Sequence, residues 1–210
     1  MTDDRGIEVG WPALRGLGLP VPDSSIAKRA GELVADVAPA FLVNHSIRAY
    51  AWAAELALHD DLAFDPEILY VSAALHDIGL VAAYDSGGCF EVDGAIAAEQ
   101  FALEHGQTAG RGRAIYDVIA LHMLAAAPPG STSEVVLLND STGVDVTGYR
   151  IRDVRPQSIQ SILAAYPRLD FKRGFSTLFV DQAGRKPNCR VAEMVSTGKL
   201  EAIAAAPFES

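Results

Sequence analysis

Two cysteines in 210 residues, Cys89 and Cys189, are too few and too far apart for a thiolate zinc cage or a disulfide framework, and no Cys-x-x-Cys spacing occurs. Both are read as free thiols. No uncharged run approaches the ~18 residues that a membrane-spanning helix needs, so no membrane partner is expected. The opening Met1-Thr2-Asp3-Asp4-Arg5 lacks the basic and apolar blocks of a secretory leader, which makes the cytoplasm the expected compartment. Basic residues are also in short supply. With 17 Lys and Arg against 27 Asp and Glu the net charge is -10, a field that repels phosphate backbones and argues against a nucleic-acid partner. Sustained period-two alternation is missing too, which removes the usual signature of a sheet.

What is present is apolar and helical. Half of the residues are hydrophobic, enough to build a full core in a single domain. Gly6, Gly10, Pro12, Gly16, Gly18, Pro20 and Pro22 mark residues 1–23 as an irregular arm, 24–198 form the folded domain, and 199–210 are read as a tail. The arm offers a surface through which a homo-oligomer can form. Within the domain, helices are predicted from about Ala40 to Leu58, from Pro66 to about Gly79, over Ala95 to His105, Gly112 to Leu124 and Ser133 to Val146, and then through three shorter segments. The fold is therefore expected to be all-α.

Several polar residues fall on the buried faces of these helices. His45 shares a stripe with Leu42, Ala49, Trp52 and Leu56. The doublet His76-Asp77 ends an otherwise apolar helix, where an unpaired carboxylate would cost several kcal/mol. Asp145 shares a face with Val135, Leu138 and Thr142, although a shift by one residue favours Asp140 with Val136 and Val144. A single inward histidine is usually a hydrogen-bonded core residue. A set of two imidazoles and two carboxylates is better explained by one divalent ion, most plainly Zn²⁺, with Fe²⁺ or Mn²⁺ as alternatives. His122 also lies on an inward face, whereas His59 and His105 sit near exposed helix ends. Arg48, three residues after His45, is placed to pair a carboxylate.

The pattern of His, then His-Asp, then a distal Asp resembles the HD superfamily of metal-dependent hydrolases. Asn44-His45-Ser46-Ile47-Arg48, Ala74-Leu75-His76-Asp77-Ile78-Gly79, Phe90-Glu91-Val92-Asp93-Gly94, Gly143-Val144-Asp145 and Tyr166-Pro167-Arg168-Leu169-Asp170-Phe171 are similar, in that order, to the cyanamide hydratase-like branch. The resemblance implies that His45, His76, Asp77 and Asp145 bind the metal, with Asp140 as the substitute for Asp145. It implies a small-molecule substrate, cyanamide or a related nitrile, attacked by hydroxide generated at the metal. Asp77 and His122 are then the catalytic candidates, and Asn44, Glu91 and Asp93 the substrate-binding ones. Asp93 fits helix N-capping before Gly94 equally well. Two other functions suit the same ligands: a nucleotide phosphohydrolase, or a protein that binds a metal or small ligand without catalysis.

Overall fold

A computed structural model describes residues 12–209. The described residues form eleven α-helices and no strand, so the all-α expectation holds: α1 Pro12–Gly16, α2 Ser25–Val37, α3 Ala40–Asp60, α4 Pro66–Leu75, α5 Phe90–Glu104, α6 Ala109–Leu121, α7 Ser133–Thr147, α8 Pro156–Ala165, α9 Phe171–Arg185, α10 Arg190–Ser196 and α11 Lys199–Ala204. None of them is long and apolar enough to cross a membrane. Their starts follow from capping. Asp65 accepts hydrogen bonds from the Glu67 and Ile68 amides at the head of α4, where Pro66 occupies the first turn, and Ser24 accepts from Ala27 at the head of α2.

The centre of the molecule is α3. Every residue from Leu42 to Ala57 is buried, because alanines at 49, 51, 53, 54 and 57 let neighbouring helices approach on all sides. It packs against α4, α7, α8 and α9. The helix nevertheless carries Asn44, His45, Arg48 and Glu55, and each of these needs a partner in the interior. Glu55 finds one in Arg155, which donates to both of its oxygens at 2.6 and 2.8 Å.

Two helix ends differ from the predicted ones. α4 stops at Leu75, leaving His76 and Asp77 in a turn before a 3-10 segment, Ile78–Leu80, and α5 begins at Phe90, five residues early. A single contact accounts for both. A Cβ on Gly79 would lie 2.1 Å from the Phe90 carbonyl oxygen, and one on Gly94 would lie 3.2 Å from the His76 carbonyl oxygen. The chain after α4 turns away so that its backbone can rest directly on the first turns of α5. Asp93 is therefore inside a helix capped by Cys89, and the N-cap alternative for Asp93 is corrected.

The two cysteines are not free thiols. Cys89 and Cys189, the N-cap residues of α5 and α10, form a disulfide across 100 residues of sequence, with their Cα atoms 5.3 Å apart. Packing of two helix starts, which no spacing rule reports, makes the pair. The stretch expected to be an irregular arm contains α1, with Leu14 and Leu19 buried; residues 1–11 lie outside the described part. The stretch expected to be a tail contains α11, and Ile203 and Phe208 are buried, the latter stacked on Trp52 with ring centroids 6.5 Å apart.

Candidate metal centre

The buried stripe of α3 and the turn after α4 bring three donors to one point. His45, His76 and Asp77 are all buried. The Nε2 atoms of the two histidines are 3.1 Å apart, and Asp77 Oδ2 lies 3.4 Å from that of His45 and 3.2 Å from that of His76. The other ring nitrogens are committed elsewhere: His45 Nδ1 donates to Asp145 Oδ2 at 2.7 Å, and His76 Nδ1 donates to the Ala73 carbonyl at 2.8 Å. A nitrogen facing a carboxylate or a carbonyl must carry the proton, so each neutral ring presents an Nε2 lone pair to the cluster.

Two lone pairs thus meet a carboxylate oxygen that has no hydrogen-bond partner among the described residues. Such a group repels itself in a dry interior unless a cation joins it. The spacing fits one. Ligand bonds of about 2.0–2.2 Å in a tetrahedral site place donors about 3.3–3.6 Å apart, close to the observed edges of 3.1, 3.2 and 3.4 Å. Burial alone would raise the Asp77 carboxyl, but positive charge at the His76–His45 pair, whether a proton or a metal ion supplies it, holds the group far below the usual carboxylate range. Burial likewise works against the His45 imidazolium, yet Asp145 and Asp77 leave its pKa raised.

His122, at the end of α6, adds a further nitrogen. Its Nδ1 donates to the Ile119 carbonyl at 2.6 Å, and its Nε2 faces Asp77 Oδ1 at 3.7 Å. Burial, reinforced by His76, lowers its pKa to about 4, so at neutral pH the ring is uncharged with the Nε2 lone pair turned toward the cluster. The turn that carries it is held by Asn139 of α7, whose Nδ2 donates to the His122 carbonyl at 3.0 Å and to that of Leu124 at 2.8 Å.

A cavity of about 270 Å³ opens on these groups. Met123, Val146, Phe175, Phe179 and Met194 make it largely apolar, while Asn139, Thr142 and Lys199 supply polarity. A larger groove of about 580 Å³ runs between α2 and α5, but it gathers no comparable set of donors. The donor set faces the smaller space.

The remaining predicted site residues are placed apart from this cavity. Asp145, expected as a fourth ligand, stands on the Nδ1 side of the His45 ring: its Oδ1 accepts from Arg48 Nε at 2.7 Å and Trp52 Nε1 at 2.8 Å, and its Oδ2 from Arg48 Nη2 and His45 Nδ1, both at 2.7 Å. In this arrangement four donors occupy its two oxygens. Burial would raise this carboxyl, but Arg48 keeps it well below its ordinary value. Asp140, the substitute, pairs with Arg150 at 2.8 Å in a cluster with Asp60 and Asp153. Asn44 donates to the Pro167 carbonyl at 2.8 Å and does not line the cavity. Asp93 accepts from the Ser86 amide at 3.0 Å and the Ser86 hydroxyl at 2.6 Å, and it faces the larger groove. Glu91 is buried near the cluster, its pKa raised by burial, without lining the cavity.

Sequence reasoning passed over Trp52 and Arg168 as supports of Asp145, Asn139 as the clamp on His122, and Lys199 as a wall residue. Arg168 donates to the Asp145 carbonyl oxygen at 3.0 Å, and its guanidinium lies 4.6 Å from the Phe171 ring centre and 4.8 Å from that of Phe208. Its place in the Tyr166-Pro167-Arg168 motif was the available signal.

Residues 42–160 match the family model described as HD domain. Cyanamide hydratase DDI2 and cyanamide hydratase DDI3, both of Saccharomyces cerevisiae, are each 25% identical to this chain over 174 residues, which covers 80% of this chain and 77% of each relative.

Proposed function

This chain belongs to the HD domain family, whose members bind divalent metals, and on that premise we propose that it is a metal-dependent hydratase converting cyanamide, or a similar small nitrile, to the corresponding amide. The observation that carries the reading is the triangle of His45 Nε2, His76 Nε2 and Asp77 Oδ2 at the end of a small, mostly apolar cavity. These three residues would hold the ion; two nitrogens and one oxygen favour Zn²⁺, with Fe²⁺ or Mn²⁺ next. When bound, a divalent ion supplies Lewis acidity that brings deprotonation of water close to neutral pH.

The chain's own residues account for the rest. Arg48 and Trp52 fix Asp145, and Asp145 keeps the His45 proton on Nδ1, so Nε2 stays available as a donor. His122 Nε2 accepts a proton from the water whose oxygen bonds to the nitrile carbon, and the same nitrogen returns that proton to the nitrile nitrogen. The adduct is isourea, which becomes urea when its hydroxyl proton moves to nitrogen, so one water and one cyanamide give one urea with no further reactant. Phe175, Phe179 and Met194 limit competing bulk water around the reacting carbon. A cytoplasmic setting is retained as part of the proposal, and it must accommodate the Cys89–Cys189 bridge, because cytosolic thiols are generally kept reduced.

The test is urea formation from cyanamide by the metal-loaded protein, run beside phosphate release from a panel of nucleotides. Urea without phosphate is expected. His122→Gln should lower kcat by about 10²–10⁴ with the metal still bound, whereas His76→Ala should lose the metal. Phosphate release without urea would move the assignment to a phosphohydrolase, and inactivity toward both sets would move it to a binding protein.

A further inference from the structure

Lys199 is a cation in the wall of the cavity on which the three donors open. It begins α11 and lines the same space as His45, His76, Asp77 and His122. Among the described residues no carboxylate pairs with it, and burial alone lowers its pKa, with no neighbouring charge to offset the loss of water. No other Lys or Arg among the described residues lines this cavity. A partly buried ammonium in a mostly apolar wall is a ready partner for an anionic group.

The cavity is also larger than cyanamide requires. Its volume of about 270 Å³ would hold about nine waters at liquid density, whereas cyanamide has one carbon and two nitrogens. The apolar stretch formed by Met123, Val146, Phe175, Phe179 and Met194 suits a short carbon chain between two polar ends. A phosphate would call for a forked guanidinium or several cations, and a lone lysine is a match for one negative charge.

We propose that Lys199 binds a carboxylate on the substrate, so that the preferred nitriles of this site are carboxylate-bearing molecules longer than cyanamide. The proposal rests on the hydratase reading for its nitrile and on Lys199 for its carboxylate, and the two parts are separable. Phe175, Phe179, Met194 and Lys199 lie outside residues 42–160 whereas Met123 and Val146 lie inside, so the carboxylate contact and part of the apolar wall come from beyond the matched HD segment.

The experiment compares cyanoacetate with propionitrile, its uncharged counterpart, by kcat/KM for amide formation in the metal-loaded full chain, and adds Lys199→Gln and Lys199→Arg. Cyanoacetate should be preferred by at least about tenfold, the strength of a hydrogen bond to a charged group. Lys199→Gln should collapse that ratio, and Lys199→Arg should keep most of it. Calorimetric binding of malonamate, the amide product of cyanoacetate, should weaken by at least about tenfold in Lys199→Gln. This readout needs no turnover, so it decides the role of Lys199 even if hydration of nitriles fails altogether. Equal use of cyanoacetate and propionitrile by the unaltered protein, or malonamate binding indifferent to Lys199→Gln, would overturn the proposal while leaving cyanamide hydration intact.

Discussion

Asp145 is the residue whose removal separates support from ligation. Its oxygens accept four donors, from Arg48 twice, Trp52 and His45, in a fully buried place. Asp145→Asn turns one acceptor into a donor facing donors, and leaves the Arg48 charge without its partner. We expect a loss of about 3–5 kcal/mol in unfolding free energy, the usual cost of breaking a buried pair from one side. Metal affinity should fall about 10–100-fold, as for other supports of ligand histidines. Asp77→Asn should do the reverse, losing the metal with little change in stability of the metal-free protein. Urea denaturation combined with metal analysis distinguishes them: metal loss at unchanged stability in Asp145→Asn would return Asp145 to the ligand set. The sequence placed Asp145 correctly toward the interior, because helical periodicity reports which way a residue faces. It could not say on which side of the His45 ring the carboxylate would arrive, since that depends on how far α7 slides along α3.

At the scale of elements, the doublet is held by backbone resting on backbone. Gly79 and Gly94 meet where the turn after α4 crosses the first turns of α5; a methyl group has no room at Gly79 and fits at Gly94 only if its neighbours give by a few tenths of an ångström. Gly79→Ala should cost more than the about 1–3 kcal/mol typical of overpacking, because the contact at 2.1 Å is with a carbonyl that cannot rotate away. Gly94→Ala, at 3.2 Å, should cost less. Chemical denaturation of the two variants checks the order, and equal stabilities would show that the turn relaxes freely. The same contact explains why the start of α5 was misread. Phe90-Glu91-Val92-Asp93-Gly94 has the acidic and glycine content of a loop, yet its glycine is a packing surface within a helix. Segments governed by periodicity, such as α3, α7 and α8, were legible; segments governed by a close approach were not. Lys199 escaped notice for a related reason, since α11 is too short to show a period.

The whole molecule is closed by the bridge between Cys89 and Cys189, which ties the N-terminus of α5 to that of α10. A link across 100 residues restricts the unfolded chain far more than the folded one. Reduction should therefore lower stability by about 2–4 kcal/mol, seen as a lower urea midpoint with dithiothreitol than without it. Identical midpoints would mean that the two helix ends stay together unaided. The bond was invisible in the sequence because two isolated cysteines carry no spacing pattern; only the assembled helices bring them within reach.

One end of the reaction cavity comes from the stretch 42–160, while Phe175, Phe179, Met194 and Lys199 come from beyond it. On the proposals above, the side chains that would hold the ion and the lysine that would meet a carboxylate come from different portions of the chain. On these proposals, a change at Lys199 alters which small molecule is taken and leaves the three metal-facing side chains where they are.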